Sequence, residues 1–307
     1  MNFQLNKRCV LAVTSVVAAL MCSLPSASST DNEAARYVSD LSNQEKKEMA
    51  KPLHQDASEP EEPFNVLANI YSVGAKNIGV YLITTDQGHI LIDSGTREMQ
   101  SLVIDNIKRL GFKPSDIHIL LATHAHFDHV QAHSAIQNET KAKVFAMEGD
   151  AQALRQGKDL SPLGFEGWPK VKVDRVLKHG DVVSLGGVNL TATQVPGHTP
   201  GCTVWSLTAS ESDRQYDVAV FGCRGPNAGV QLQGNPQFPD LIQETLLGFD
   251  RLAELSPDIY ISNHPGADIA RWGDALKVGA RPHPLLEQQP WDEMVAKTKA
   301  QFMTRYE

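Results

Sequence analysis

The sequence predicts a layered α/β or α+β domain, on three observations. Short strand-like segments alternate with amphipathic helical ones along most of the chain. They fall into two similar sets, one in each half. The make-up is ordinary for a globular protein: 307 residues, 41% hydrophobic, 21% charged and 7% aromatic, with 22 Gly and 17 Pro. That composition excludes collagen, a coiled coil and a wholly disordered chain, and the length suffices to bury a sizeable core. Lys+Arg number 28 against 36 Asp+Glu, a formal net charge of −8. So acidic a chain is a poor polyanion binder, and nucleic acid is not an expected partner.

In chain order, residues 1–30 read as an export signal. Lys7 and Arg8 form a basic start, Val10 to Leu24 is mostly apolar, and Ser26, Ala27, Ser28 and Ser29 offer a small-residue cleavage site. The apolar run falls short of the roughly 20 residues a spanning helix needs, and no second stretch is long enough. The expectation is a secreted protein, periplasmic in a two-membrane bacterium, with no membrane contact after signal removal. Cys9 and Cys22 leave with the signal, so Cys202 and Cys223 remain. Residues 31–63 are polar and charged and read as a loose N-terminal arm, with or without one short helix, lacking a core face of its own.

Denser patterning follows. Val80 to Thr84 and His89 to Ile92 read as strands joined by a turn at Asp86-Gln87-Gly88. Leu102, Val103, Ile107 and Leu110 lie at helical spacing in Met99 to Leu110, closed by Gly111. Ile117 to Leu121 is a short apolar strand. Gly157 to Lys170 reads as a loop whose Leu163, Phe165 and Trp168 either cap the core or touch a ligand. Further strands are expected at 182–185, 188–193, 203–207, 218–222 and 259–262, with helices at 242–255 and 291–305.

The chemistry concentrates in Thr123-His124-Ala125-His126-Phe127-Asp128-His129, directly after a strand. By this chain's residue frequencies, His-x-His-x-Asp-His arises by chance about once in a thousand such sequences. Residues two apart on an extended segment point the same way, so His124 and His126 can grip one ion, while Asp128 and His129 face a second. Imidazole with carboxylate suits zinc. Four ligands leave two ions under-coordinated, and two further histidines sit in tight loops at strand ends. These are His198 in Pro196-Gly197-His198-Thr199-Pro200-Gly201 and His264 in Asn263-His264-Pro265-Gly266. His54, His89, His118, His133, His179 and His283 lack such a setting.

On these residues the sequence resembles the metallo-β-lactamase superfamily, and subclass B3 closely, from about Ile70 to Gly266. The likeness is carried by Leu91-Ile92-Asp93-Ser94-Gly95, the His124–His129 motif and Gly197-His198-Thr199-Pro200-Gly201-Cys202-Thr203-Val204-Trp205. It continues in Gln231-Leu232-Gln233-Gly234-Asn235-Pro236 and Asn263-His264-Pro265-Gly266-Ala267. The resemblance implies an αββα sandwich over 64–307 with a di-zinc site at one edge. His124, His126 and His198 would hold one Zn2+ and Asp128, His129 and His264 the other, with Asp93 orienting ligands from behind. It implies zinc-dependent hydrolysis of the β-lactam amide of penicillins, cephalosporins and carbapenems by a zinc-bound hydroxide, with Asp128 both ligand and orienter of the nucleophile.

Two departures from the subclass pattern stand out. Arg224 falls where subclass B3 places a serine that helps bind the substrate carboxylate; an arginine either takes over that pairing or points to solvent. Cys223 allows three readings: a buried thiol, a partner of Cys202, or a thiolate ligand to the second zinc. A hairpin turn centred between Ser212 and Asp213 would set Cys202 opposite Cys223. Two rival functions remain. One is a di-zinc hydrolase of the same fold acting on a lactone, ester or thioester. Against it, glyoxalase II-like members carry a metal-bridging aspartate after the strand that here ends in Cys223, and this chain has none. The other rival is a non-catalytic zinc module with closed sites.

Overall fold

Side-chain alternation along the strands decides how the chain layers. In β4 (Gly88–Ile92), Ile90 and Ile92 face one way and Leu91 the other, and all three are fully buried. A strand apolar on both faces must be covered on both. The computed structural model describes residues 37–306, apart from 43, 47, 50, 53–57, 281 and 282. The expected export signal at 1–30 and His54 lie outside the described residues.

The first sheet runs β1 (Phe64–Leu67), β2 (Ile70–Ser72), β3 (Tyr81–Thr85), β4, β5 (Ile117–Leu121), β6 (Lys143–Met147) and β7 (Val173–Leu177) in chain order. Pairing is antiparallel as far as β4 and parallel from β4 to β7. The second contains β8 (Val182–Leu185), β9 (Val188–Gln194), β10 (Thr203–Glu211), β11 (Arg214–Phe221) and β12 (Ile259–Ser262), in the order β12-β11-β10-β9-β8. Between the sheets, Ile83, Ile90 and Ile92 meet Trp205, Leu207 and Val220 in one buried cluster.

Helices cover the outer faces. Leu91 and Leu120 pack on α1 (Met99–Arg109), α3 (His133–Thr140) and α4 (Glu148–Gln156), through Val103, Ile136 and Leu154; the short α2 (Phe127–Val130) joins the same cluster. On the other sheet, Val204 and Phe221 pack on Phe249 of α5 (Leu241–Ala253) and on Trp291 and Val295 of α7 (Trp291–Tyr306). Ile269 and Trp272 of α6 (Ala267–Lys277) join the central cluster. The layering is αββα, as the resemblance implied. Among the described residues, no helix is long and apolar enough to cross a membrane.

Strands β5, β8 and β12 fall where the sequence predicts them. The β10–β11 hairpin is longer than its apolar residues suggest, because polar cross-strand pairs such as Thr208 Oγ1 to Asp217 (3.1 Å) extend it. The polar arm is not as loose as expected. Val38 is buried against Leu163, Val230 and Leu241, its N–H donates to Gly229 O, and Lys46 Nζ donates to Gly164 O. The arm's apolar residues are too few to signal a helix face, yet they suffice to dock it.

The hairpin register runs from Glu211 opposite Arg214 to Trp205 opposite Val220. Three residues further along each strand, Cys202 and Cys223 form a disulfide with Cα atoms 6.3 Å apart, both buried. The pairing replaces both other readings of Cys223, a free thiol and a zinc thiolate. Closing a loop of this size restricts the unfolded chain by about 3 kcal/mol. The Cys202→Ala/Cys223→Ala variant should therefore unfold at a clearly lower denaturant midpoint than the oxidised protein; equal midpoints would refute the contribution.

Candidate metal centre

Four connections meet at one edge of the sandwich: those following β5, β9, β11 and β12. The two sheets are stitched there by Thr203 N–H to Thr123 O (2.7 Å), Trp205 Nε1–H to Ala122 O (3.0 Å) and Asn263 Nδ2–H to Thr123 Oγ1 (2.8 Å). A β-carbon at Gly222 would collide with the Asn263 amide, so glycine is what lets the β11 and β12 ends close on each other.

All six histidine and aspartate candidates gather here. The rings of His124, His126 and His198 form a near-equilateral triangle, with centroids 4.7, 4.6 and 4.6 Å apart. Their ligand atoms lie within 4.8 Å of one another. Beside them, His129 Nε2 and His264 Nε2 are 2.9 Å apart, with Asp128 Oδ2 3.4 and 3.5 Å from each. His124 stands between the two groups, its ring 4.3 Å from that of His129. The fit to an ion rests on the donor atoms.

The hydrogen bonds behind the rings show which atoms are left for an ion. Asp93, on a left-handed residue after β4 (φ 65°), accepts from Thr123 N–H (2.6 Å) and Thr123 Oγ1–H (2.8 Å), and lies 3.1 Å from His129 Nδ1. With its proton given to Asp93, Thr123 Oγ1 is free to accept from His124 Nδ1, 3.2 Å away. That leaves His124 Nε2 as a lone pair, buried and without a partner among the described residues. His198 Nδ1 is held by Gly225 O at 3.1 Å, and His126 Nε2 by Ser161 Oγ at 2.9 Å. In each case the other ring nitrogen is free, the arrangement metal-bound imidazoles require. An unsatisfied buried nitrogen aimed into a ring of imidazoles fits a divalent ion of borderline softness.

The electrostatics divide the two groups. Burial pushes His126 and His198 down to about 3, and His124 well below the ordinary imidazole value, with neighbouring imidazoles adding to the effect in His124. Those three are neutral, which leaves each with a lone pair for an ion. Burial also acts on His129, but Asp128 and Asp93 outweigh it and raise it to about 10. Asp128 resists burial through His129 and then His264, and is held well below the usual carboxylate range. His264 is lowered to about 4 by burial, then by His129.

The remaining candidates fall at the rim. Arg224 does not point freely to solvent. Its guanidinium is half-buried, 5.8 Å from the Phe221 ring centroid, and among the described residues it makes no hydrogen bond or ion pair. Its charge reaches His264 and Tyr260. In the 157–170 loop, Leu163 and Trp168 are buried and Phe165 packs on Phe127, with ring centroids 5.7 Å apart, so these residues cap the core. What the sequence did not reveal is Ser161 in that loop, Thr123, the carbonyl of Gly225, the role of Asn263, and Asp150 in α4. Replacing Ser161 with alanine should free the far side of His126 and weaken metal affinity roughly 10–100-fold. Competition against a chromophoric chelator measures this, and unchanged affinity would contradict the role.

A family model described as the metallo-β-lactamase superfamily matches residues 74–210. Among solved structures, native FEZ-1 metallo-β-lactamase from Legionella gormanii is 32% identical with a TM-score of 0.77, covering 81% of this chain and 97% of that one. BJP-1, a subclass B3 metallo-β-lactamase of Bradyrhizobium japonicum, is 32% identical with a TM-score of 0.74, covering 82% and 96%. Among curated proteins, a hydroxyacylglutathione hydrolase of Mesorhizobium japonicum is 27% identical over 48% of this chain and 50% of its own length. An N-acyl homoserine lactonase of a Bacillus species is 24% identical over 39% and 54%. The chain spans about half the length of these curated relatives. The solved structures, by contrast, match over nearly their whole length, and on that footing the chain belongs to the metallo-β-lactamase superfamily as a hydrolase whose structural neighbours are subclass B3 enzymes.

Proposed function

We propose that the protein is an exported hydrolase that opens the β-lactam amide of penicillins, cephalosporins and carbapenems using two Zn2+ ions. His124, His126 and His198 hold one ion and Asp128, His129 and His264 the other. Bound there, the ions supply Lewis-acid activation of the carbonyl and of water at neutral pH. The observation that carries the reading is the pair of adjacent ligand groups, one of three neutral imidazoles and one containing an ionised carboxylate. It is supported by the near full-length match to β-lactamase structures. Asp128 is ionised at neutral pH, so a carboxylate oxygen is available to accept a hydrogen bond from the attacking water and orient it. Asp93 holds His129 directly and His124 through Thr123, which fixes both groups to one frame.

Arg224 binds the substrate carboxylate. Its charge is half-buried, lacks a partner among the described residues and lies in reach of His264, so a carboxylate placed beside the second ion would satisfy it. The exported location is supported by the basic start and apolar run of 1–30 and by the Cys202–Cys223 disulfide, which persists in oxidising compartments. The curated relatives favour a second reading, a lactone or thioester substrate. Against it, the residues after β11 are Gly222, Cys223 and Arg224, with no aspartate to bridge two ions.

Zinc-loaded protein should hydrolyse a penicillin, a cephalosporin and a carbapenem, and a chelator should abolish all three activities. Negligible turnover of all three beside rapid lactone or thioester cleavage would overturn the β-lactam assignment in favour of the second reading. Arg224→Ala should raise KM for these carboxylate-bearing substrates about tenfold, a charged hydrogen bond being worth roughly 1.5–3 kcal/mol, with kcat little changed. An unchanged KM would remove Arg224 from substrate binding.

A further inference from the structure

We infer that Asp150 is a positioning residue for the three-imidazole group, pinning the loop that carries His124 and His126 to the loop that carries His198. The inference rests on the proposed metal assignment and deepens it. His124 and His126 flank Ala125 in the connection after β5, whereas His198 belongs to the connection between β9 and β10. The ring triangle is therefore assembled from two segments far apart in sequence. Its size is set by whatever fixes one loop against the other.

Asp150 touches both. Its Oδ2 accepts from Ala125 N–H at 2.7 Å and from Thr199 Oγ1–H at 2.8 Å, and its Oδ1 accepts from Gly201 N–H at 2.8 Å. One donor sits between two of the ligands and the other two lie one and three residues past the third. The carboxylate is buried, at 4% exposure, and among the described residues no lysine or arginine pairs with it. Burying an acidic group without a counter-cation is costly unless its oxygens are hydrogen-bonded. Here three donors surround two oxygens.

The backbone is shaped to deliver that carboxylate. Asp150 lies in the first turn of α4, where the helix N-terminus favours negative charge. A β-carbon on Gly149 would collide with the backbone of Pro200, and one on Gly201 with the backbone of Asp150. Helix and loop are thus in backbone contact on both sides of the carboxylate. A residue serving only general packing has no need of three directed acceptor contacts onto two ligand loops.

Asp150→Asn keeps the size of the side chain but turns one acceptor into a donor. The amide then faces either Ala125 N–H or Gly201 N–H donor to donor, and one loop is released. Zinc binding to the full chain, followed by native mass spectrometry with a competing chelator, reads the ions separately from activity. Wild type should retain two ions. Asp150→Asn should hold its weaker ion roughly 10–100-fold less tightly than wild type. Cobalt(II) substitution should show the loss in the spectrum of the three-nitrogen site, leaving that of the carboxylate-containing site in place. Thr199→Val removes one donor without altering the carboxylate, and should give a smaller shift of the same kind; it serves as the test should Asp150→Asn not fold. If wild type takes up no metal, the metal assignment fails. If wild type binds two ions and the variant matches it, or loses both equally with a lowered melting temperature of the metal-free protein, the positioning role is overturned.

Discussion

Asp93 is the constraint on which the ligand edge depends. It ends β4 in a left-handed conformation that aspartate tolerates better than most residues. From there its two oxygens reach Thr123 and His129, so that one buried carboxylate sets both the start of the ligand loop and a ring belonging to the second group. The proton of Thr123 goes to Asp93, which decides the tautomer of His124 in turn. Asn263 joins this network from the other sheet. Two sheets whose interior contact is mainly apolar are thereby tied by polar contacts at the edge where ions are expected.

Such an edge is expensive in isolation. Four imidazoles are lowered by burial and crowd one another, while His129 is raised to about 10 only because Asp128 and Asp93 flank it. The crowding of buried neutral rings and the lone pair left on His124 make sense if a cation is held among them. The stiff part of the molecule bears the cost. Ile90, Ile92, Trp205 and Val220 are wholly buried between sheets whose outer faces are also covered. The ligand loops leave from strand ends in that packed region and so inherit its rigidity.

The same division explains what could be read from the sequence. His124, His126, Asp128 and His129 were legible because their relation is local: alternation on an extended segment, then a turn. His198 and His264 were legible because Gly and Pro mark tight loops after strands. Strands β5, β8 and β12 carry unbroken or alternating apolar residues and were placed correctly. By contrast β7 reads Val-Asp-Arg-Val-Leu at a sheet edge, mostly exposed, with too little apolar alternation to announce itself. Ser161 and Asp150 carry no local signal at all. Each matters through a contact with a residue 35 or 25 positions away, and only the folded chain brings those pairs together. Cys223 shows the intermediate case: the hairpin turn fixed the register, while pairing needed the sulfurs to face each other.

That disulfide also bears on the residue that departs most from the subclass pattern. Cys223 is tied to Cys202 at the base of β10, and Cys202 lies four residues beyond His198. The chain after β11 therefore cannot swing away from the His198 loop, and Gly225 keeps its carbonyl on His198 Nδ1. Arg224 sits between these two anchors, one residue from each. Its long side chain is confined to the direction of Phe221, Tyr260 and His264 rather than the solvent. A serine at this position would act through a short hydroxyl close to the ions. An arginine held at the same place projects its charge further, over the Phe221 ring and toward His264.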